Sequence, residues 1–348
     1  MKNRHSKAEP KRDSKLKRGL IMAGLAAGLA GFTYLASSAE RRQRAAVSAI
    51  RQIFNTYGKL ENHRFAQYIP DDVSVLRDVN YDHNDSQAHL DVYYPASHNS
   101  WHKLAPIVWV HGGGWIAGDK NSKEPWGKIL AHYTGCAVVM VDYTIAPQDT
   151  YPLPVKQVNT ALAYINRKHR RLGLNRNRII LGGDSAGAQI AAQVALINTN
   201  YPYATAMGIA PAVKKYQLAG TVLLCGAYDL RLAADDADMA KVMQVFVKAY
   251  SGRLDFENHP LIQYASIPEY ITADFPPTFI TDGNYDPLLP HSMVLTKALR
   301  DAKVSVDPLF FSRDYRPLLL HEYQFNLNTE AGQLCFERIL KFVAAHIK

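Results

Sequence analysis

The stretch 179-IILGGDSAGAQIAAQ-193 is the clearest indication of the fold that this chain is expected to adopt. It runs from a short β-branched segment through Gly183-Asp184-Ser185-Ala186-Gly187 straight into an alanine-rich helical pattern. A strand that enters a helix this abruptly needs a sharp turn, which small residues allow. In a G-x-S-x-G turn of this kind the serine lies in strained backbone with its Oγ exposed. The stretch therefore predicts a nucleophile, Ser185, at the carboxyl end of a core strand.

A second glycine cluster lies upstream in 108-VWVHGGGWIAGD-119, directly behind another apolar segment. Attack of a serine on an acyl carbon creates an oxyanion, which backbone N–H groups stabilise when they point to the developing charge. Gly113 and Gly114 can present their N–H groups because no Cβ intervenes, and Ala186 adds a third at the start of a helix. We therefore expect these three residues to form an oxyanion hole.

The body of the chain alternates strand and helix patterns, which predicts an α/β fold with a mostly parallel central sheet of about eight strands and helices on both faces. In such sheets ligands bind at the carboxyl ends of the strands. The predicted strands are 73–79, 89–94, 106–110, 137–143, 178–183, 220–226, 277–281 and 304–311, and helical patterns lie near 155–170, 185–198, 290–302 and 329–347.

A serine nucleophile needs a general base, and the base needs an acid that orients it. His321 follows the last predicted strand and precedes the final helix, so it is expected at the same sheet end as Ser185. Asp286 comes just after strand 277–281, which gives the chain order Ser, Asp, His that this architecture favours. Asp282 and His291 are the alternatives for the acid and the base. His291 lies too close to Asp286 in sequence to approach from the opposite loop.

Two segments interrupt the alternation and are interpreted as a helical cap over the strand ends. Residues 40–72 hold an amphipathic helix and a linker, and about 231–264 form an insertion with a helical run at 236–252. Ordinary peripheral helices are the alternative, since both look alike in sequence. The catalytic domain is expected to span 73–348.

The amino terminus, 1–39, is expected to be a targeting segment. Residues 1–18 hold eight Lys and Arg against two acids, and 19-GLIMAGLAAGLAGFTYLASS-38 contains no charge. A basic head before an apolar run is typical of a signal peptide, and the run is also long enough for an uncleaved membrane anchor. A buried or frayed terminal helix is the third alternative. Either targeting role places the body outside the cytoplasm, exported or anchored.

Composition excludes several other classes of function. Most of the formal charge of +9 lies in residues 1–18, so the remaining chain carries too little positive charge for a nucleic-acid footprint. The three cysteines, Cys136, Cys225 and Cys335, form no disulfide framework and have no metal-ligand spacing. Buried apolar roles are expected for Cys136 and Cys225. No feature predicts an oligomeric state.

The motifs together resemble the hormone-sensitive-lipase-like family of α/β-hydrolases, which includes bacterial carboxylesterases. The resemblance extends from about residue 75 to the carboxyl terminus. It rests on LDVYYP at 90–95, HGGGW at 111–115, DYTIAP at 142–147 followed by YPLPVKQV, GDSAG at 183–187 and YDPLLPHS at 285–292.

The resemblance implies the α/β-hydrolase fold and a triad of Ser185, Asp286 and His321, the same residues that the pattern of strands and loops predicts. The chain departs from the family at three places. Glu322 stands where the family has glycine after the histidine, Gln148 ends the motif that is usually APE, and residues 312–320 are lengthened. A carboxylate beside the base can raise the pKa of His321 or point to solvent.

The expected function is hydrolysis of short- to medium-chain carboxylic esters through an acyl-enzyme, with a small-molecule substrate and without a cofactor or a metal. An amidase or aryl-formamidase is an alternative within the same mechanism. A non-catalytic ligand-binding relative and a membrane-tethered scaffold are alternatives from other classes, because a fold does not guarantee chemistry. Acyl-chain length depends on the shape of the pocket, which these motifs do not specify.

Overall fold

The computed structural model describes residues 38–97, 103–232 and 237–348. Within these ranges the chain forms one eight-stranded sheet in the order β1-β2-β4-β3-β5-β6-β7-β8. The strands are β1 Ser74–Asn80, β2 His89–Tyr94, β3 Pro106–Val110, β4 Ala137–Val141, β5 Ile179–Asp184, β6 Leu218–Leu224, β7 Thr278–Asp282 and β8 Val306–Phe310.

Strands β3 to β8 run parallel, whereas β2 is antiparallel to both β1 and β4. Strand β3 lies near the centre, where Val108 pairs with Val139 of β4 and Leu181 of β5. All residues of β3, β4, β5 and β7 are buried. Strands covered on both faces carry continuous apolar runs, which explains why these segments do not alternate in hydrophobicity.

Helices cover both faces of the sheet, and side chains of one strand divide between the two resulting cores. Val108 and Val110 join the larger core, while Ile107 and Trp109 join the smaller one. Helices α2 and α8 pack in the smaller core, and α1, α3, α4, α6 and α7 pack in the larger one. The helices are α1 Ala39–Phe65, α2 Glu124–Thr134, α3 Leu153–Lys168, α4 Ala186–Thr199, α5 Tyr201–Met207, α6 Ala237–Ser251, α7 Leu289–Asp301 and α8 Glu330–His346, with 3-10 turns at Ala66–Tyr68, Lys215–Gln217, Phe256–Asn258, Ile262–Ala265, Pro268–Tyr270 and Tyr323–Phe325.

The predicted α/β architecture and its eight strands are confirmed, and most boundaries agree within two residues. Two helices, α2 and α5, were not predicted. Helix α2 contains Gly127, which weakens a helical pattern in sequence. A Cβ at Gly127 would lie 3.3 Å from the Met140 side chain, so the glycine allows this helix to approach the sheet closely.

Helices α1 and α6 pack against each other. The Gln43 side chain donates to the Val245 carbonyl oxygen at 2.7 Å, and the Phe54 and Phe246 rings lie 5.8 Å apart. Phe246 also reaches Gly114, where an added Cβ would lie 3.0 Å from its ring. The two segments predicted as a cap therefore contact each other and the glycine loop, residues 111–118. The division of the chain into domains stays a prediction.

The predicted targeting run at 19–38 lies outside the described residues apart from its last residue. None of the helices in ranges 38–97, 103–232 and 237–348 has the length and apolar character needed to cross a bilayer.

Candidate active site

Ser185 lies in the turn between β5 and α4, in the strained backbone that the G-x-S-x-G pattern predicts. Its φ is 53° and its ψ is −122°, a region that residues with a side chain rarely adopt. Gly187 makes this turn possible, because an added Cβ would lie 2.1 Å from the Val110 carbonyl oxygen. Only 9% of Ser185 is exposed, so its Oγ faces a largely enclosed site rather than an open surface.

His321 connects the serine to the carboxylate predicted as its partner. The Ser185 Oγ lies 3.0 Å from His321 Nε2, and His321 Nδ1 lies 2.7 Å from Asp286 Oδ2. With Asp286 ionised, Nδ1–H donates to the carboxylate, which leaves Nε2 free to accept the serine proton. Three side chains that are up to 136 positions apart in the sequence therefore form one hydrogen-bonded chain.

The loop that carries His321 is attached to the loop that carries Asp286. The Tyr285 N–H donates to the Leu319 carbonyl oxygen at 3.0 Å, and the Leu319 N–H donates to Asn284 Oδ1 at 2.9 Å. Gly283 permits this approach, since an added Cβ would lie 2.4 Å from the Leu319 oxygen. Base and acid are thus positioned against each other before any substrate binds.

The charges around His321 favour its protonated form. Although burial lowers the pKa of the imidazole, attraction to the Asp286 carboxylate outweighs it and holds the pKa well above the usual 6.5. Burial tends to raise the pKa of Asp286, but the charge and hydrogen bond of His321 keep it below its usual value. Asp286 is therefore ionised at neutral pH.

Asp282, the alternative acid, lies beside Asp286 rather than replacing it. Burial and the neighbouring Asp286 charge hold the pKa of Asp282 well above its usual range, which favours the protonated form of this carboxyl. The Ser292 hydroxyl and the Gly283 N–H donate to its two oxygens at 2.8 and 2.9 Å. Asp282 therefore lies beside Asp286 as a buried carboxyl whose neutral form is favoured.

His291, the alternative base, is buried elsewhere. Its Nδ1 accepts a hydrogen bond from the Asp229 N–H at 3.2 Å, and burial lowers its pKa to about 4. The structure brings His321, and not His291, to Ser185.

The predicted oxyanion residues lie in the loop after β3 and at the start of α4. Gly113 and Gly114 have φ values of 116° and 58°, which favour glycine. Within the described residues their N–H groups donate no hydrogen bond. Ala186 is the first residue of α4, where an N–H has no partner inside the helix. These donors are available to a developing negative charge.

Asp184, the residue before the nucleophile, fixes the first part of the glycine loop. Its fully buried carboxylate accepts hydrogen bonds from Trp109 Nε1 at 2.9 Å and from the Gly112 N–H at 3.0 Å, and Lys123 Nζ lies 3.8 Å away. A Cβ at Gly112 would lie 2.4 Å from this carboxylate, so the loop passes directly over it. The Asp184 side chain therefore connects the turn at Ser185 to the glycine loop.

Glu322 does not point to solvent. Its carboxylate lies 3.4 Å from Lys123 Nζ, and the two side chains are 14% and 8% exposed. Burial raises the pKa of Glu322, and the adjacent Asp184 acts in the same direction while Lys123 opposes it. Its backbone is left-handed, with a φ of 60°, the conformation that glycine would adopt more easily. The departure from the family motif is thus accompanied by an ion pair to Lys123.

Cys225 lies at the end of β6, next to the triad. Its thiol lies within 4.8 Å of a ring nitrogen of His321 and accepts a hydrogen bond from Gln324 Nε2 at 3.3 Å. Burial raises the pKa of this thiol to about 12, so it is uncharged at neutral pH. Cys225 is buried, as expected, but its contact with His321 was not predicted, and no sequence spacing indicates it.

Arg51 of α1 also reaches the oxyanion loop. Its guanidinium donates to the carbonyl oxygens of Ile116 at 2.6 Å and Ala146 at 2.7 Å. Sequence reasoning did not identify Arg51, because an arginine on an amphipathic helix has no local signal of its partner.

Comparison with known proteins gives the same architecture. A family model described as alpha/beta hydrolase fold matches residues 107–313. Acetyl esterases of Salmonella paratyphi B and Salmonella agona are each 31% identical over 201 residues, which is 56% of this chain. The match spans 59% of the length of these relatives.

Solved structures resemble the chain over a larger share of its length. Esterase B from Lactobacillus rhamnosis has a TM-score of 0.73 at 22% identity, covering 87% of this chain and 95% of its own. An esterase from Pyrobaculum calidifontis has a TM-score of 0.69 at 20% identity, covering 87% and 94%. At these identities the likeness concerns the fold, and since the family model matches more than half of the sequence, the chain belongs to the α/β-hydrolase fold family.

Proposed function

We propose that the protein is a serine carboxylesterase that hydrolyses short- to medium-chain esters through an acyl-enzyme. The observation that carries this proposal is the continuous hydrogen-bonded chain from Ser185 through His321 to Asp286, with spacings of 3.0 and 2.7 Å. A nucleophile, a base and an orienting acid in this order form the arrangement that acyl transfer requires. The acetyl esterase relatives support the same reaction class.

In the first half-reaction the Ser185 Oγ attacks the acyl carbon while its proton passes to His321 Nε2. The resulting oxyanion binds the N–H groups of Gly113, Gly114 and Ala186. Collapse of this intermediate breaks the bond to the alcohol, which leaves with the proton from Nε2. Asp286 holds His321 in the productive tautomer and stabilises the imidazolium while it exists.

In the second half-reaction His321 takes a proton from water, and the hydroxide attacks the acyl-serine. The same N–H groups receive the oxyanion, and the proton returns from Nε2 to the Ser185 Oγ as the acid leaves. No step needs a group beyond the protein and water.

The test is hydrolysis of p-nitrophenyl esters from acetate to palmitate by the full chain, compared with Ser185→Ala and His321→Ala. The wild type should prefer short acyl chains, and each variant should lose at least about 10³-fold in kcat. Ser48→Ala changes an exposed serine on α1 and serves as the matched control, with wild-type rates expected.

Retained activity in Ser185→Ala would contradict the assignment of the nucleophile. A matched p-nitroanilide series distinguishes ester from amide hydrolysis, and faster turnover of the anilides would favour an amidase. A folded wild type that cleaves neither series would favour a ligand-binding protein instead.

We also propose that the body lies outside the cytoplasm, on the basis of the basic head and the uncharged run at 19–38. Protease added to intact spheroplasts should digest residues 73–348 without lysis. Protection until lysis would contradict this localisation. The mass of the mature amino terminus decides between a cleaved signal peptide and a retained anchor.

A further inference from the structure

One cluster of potential metal ligands lies inside the proposed catalytic machinery. In the part of the chain that the structure describes, Cys225, Asp286 and His321 form the one group of three such residues whose ligand atoms all lie within 4.8 Å of one another. These atoms are a thiol sulfur, a carboxylate oxygen and an imidazole nitrogen. Sulfur, nitrogen and oxygen ligands of this kind are the set that Zn²⁺ binds in proteins.

The three ligand atoms are close enough together to bind one ion after a small rearrangement. Zinc bonds of about 2.0 to 2.3 Å place tetrahedral ligand atoms about 3.3 to 3.8 Å apart. Asp286 Oδ2 and His321 Nδ1 are 2.7 Å apart, and no pair of the three ligand atoms is separated by more than 4.8 Å. Lengthening the contact between Asp286 and His321 by about 1 Å would give these two atoms the separation that one bound ion requires. The His321 side chain is 36% exposed, so an ion can reach the imidazole from solvent.

A buried amide lies next to the sulfur. Gln324 is fully buried, and its Nε2 donates to Cys225 Sγ at 3.3 Å. Its Oε1 has no hydrogen-bond partner among the described residues, which is uncommon for a buried amide oxygen. Rotation of this amide would turn the unpaired oxygen towards the sulfur, where a bound cation would lie.

We propose that Cys225, Asp286 and His321 bind one Zn²⁺ or Cd²⁺ ion, and that this ion inhibits the enzyme by removing the general base. Formation of the sulfur–metal bond releases the thiol proton to solvent. A metal bound at His321 Nδ1 moves the ring proton to Nε2, which then cannot accept the proton of Ser185. A metal bound at Nε2 uses the same lone pair directly. Both geometries stop the reaction.

The thiol sets the ion selectivity of this site. Soft sulfur ligands favour zinc and cadmium, whereas Mg²⁺ and Ca²⁺ prefer oxygen ligands. The inhibitory part of the proposal rests on the proposed esterase function, but the binding part does not.

Binding is tested in the Ser185→Ala variant, which needs no activity. Cd²⁺ titrated into the metal-free full chain should give a thiolate-to-cadmium ultraviolet band that saturates at one equivalent. The band should disappear when Cys225→Ser is combined with Ser185→Ala in the same chain. It should persist when Cys136→Ser is combined with Ser185→Ala instead. Cys136 is the matched control because it is also free and buried but precedes β4, at the opposite edge of the parallel strands.

A band that persists without Cys225, or none in the presence of Cys225, would overturn the site. If Cys225→Ser does not fold, His321→Ala provides the second variant, because it removes the nitrogen ligand and keeps the thiol. Weaker binding of Cd²⁺ in His321→Ala is then the expected result, and unchanged binding contradicts the proposal.

Inhibition is tested by ester hydrolysis in increasing Zn²⁺, with each variant compared to its own metal-free rate. Zn²⁺ should inhibit reversibly, EDTA should restore the rate, and Mg²⁺ should have no effect. Loss of a residue that only orients a metal ligand costs about 10- to 100-fold in affinity, so Cys225→Ser should raise the half-inhibitory concentration at least about tenfold. Equal sensitivity of Cys225→Ser and Cys136→Ser would contradict the proposal. Cadmium binding without any ester hydrolysis would leave the site standing and reject the esterase function.

Discussion

The two halves of the candidate site are built in different ways. The elbow side, residues 110–118 and 183–187, is made of backbone: glycines at positive φ, a serine at φ 53° and carbonyls so close that a Cβ would collide with them. The histidine loop, residues 312–325, also depends on side-chain contacts from Asn284 and Lys123, and its residue after His321 is Glu322 in the conformation that glycine prefers.

This difference explains which parts of the candidate site carry a sequence motif. Backbone geometry permits almost one residue type at each position, so the elbow side carries a recognisable motif. A loop positioned by side-chain contacts can exchange residues if new contacts compensate, as the Lys123 partner of Glu322 does at 3.4 Å. The first kind of feature forms a motif that the sequence shows directly, whereas the contact between Glu322 and Lys123 is visible only in the structure.

The largest effect should come from the acid that orients the base. Asp286→Asn presents an amide to His321 and favours the wrong tautomer, so kcat should fall by about 10⁴. Asp282→Asn is the matched control, since an amide replaces a carboxyl whose neutral form is favoured, and its kcat should stay within about tenfold of wild type. Steady-state kinetics of both variants decide the matter. A larger loss of kcat in Asp282→Asn than in Asp286→Asn would show that Asp286 is not the acid that orients His321.

The second largest effect should come from Asp184, whose side chain supports the glycine residues of the elbow side. Asp184→Asn leaves one acceptor oxygen for two donors, Trp109 Nε1 and the Gly112 N–H, and should displace the oxyanion loop. Loss of one oxyanion donor costs about 10² to 10³ in rate, so kcat should fall by about 10² with little change in KM. Trp109→Phe removes one donor but leaves Asp184 free to hold Gly112, and its kcat should fall by less than about tenfold. Equal kcat values for the two variants would show that Asp184 does not position the loop.

The pH dependence concerns the histidine loop. Only neutral His321 can accept the serine proton, and Asp286 raises the pKa of the imidazole despite its burial. The acid limb of kcat/KM should therefore have its midpoint above pH 6.5, and activity should rise as pH increases through it. The midpoint should move to lower pH in Asp286→Asn, measured on its residual activity. A wild-type midpoint below 6.5 would show that burial outweighs the carboxylate.

The smallest effect should come from Glu322, which stands where the family has glycine. Glu322→Gln removes one charge beside Lys123, which keeps Asp184 as a second carboxylate at 3.8 Å. Because burial holds the pKa of Glu322 above its usual value, its ionised form costs stability in the fold, so the free energy of unfolding should stay within about 1 kcal/mol of wild type or rise, while kcat stays within about tenfold. Urea denaturation and ester hydrolysis measure the two quantities. A loss in kcat as large as that of Asp184→Asn would place Glu322 among the residues that position the base.

Much of the fold followed from local patterns. Short β-branched runs predicted all eight strands, because strands buried on both faces are apolar throughout. Helix α2 was missed because Gly127 weakens its helical pattern. The glycine allows the helix to approach Met140 of β4, a contact that sequence periodicity does not show. Helix α5 has only seven residues, too few for a clear helical period.

The candidate site followed from sequence to the extent that its residues obey a motif or a topological order. Ser185 and the glycines are local, and His321 and Asp286 follow loops whose strand order places them at one sheet edge. The contacts of Asp184, Arg51 and Cys225 depend on how distant segments pack. These residues became visible only through their partners in the structure.

The most direct measurement is covalent capture of the nucleophile in the full chain with an alkyl fluorophosphonate, located by peptide mass spectrometry. We expect one adduct, on Ser185, that is absent in Ser185→Ala and forms far more slowly in His321→Ala. An adduct on another residue, or an active protein that acquires none, would contradict a triad centred on Ser185.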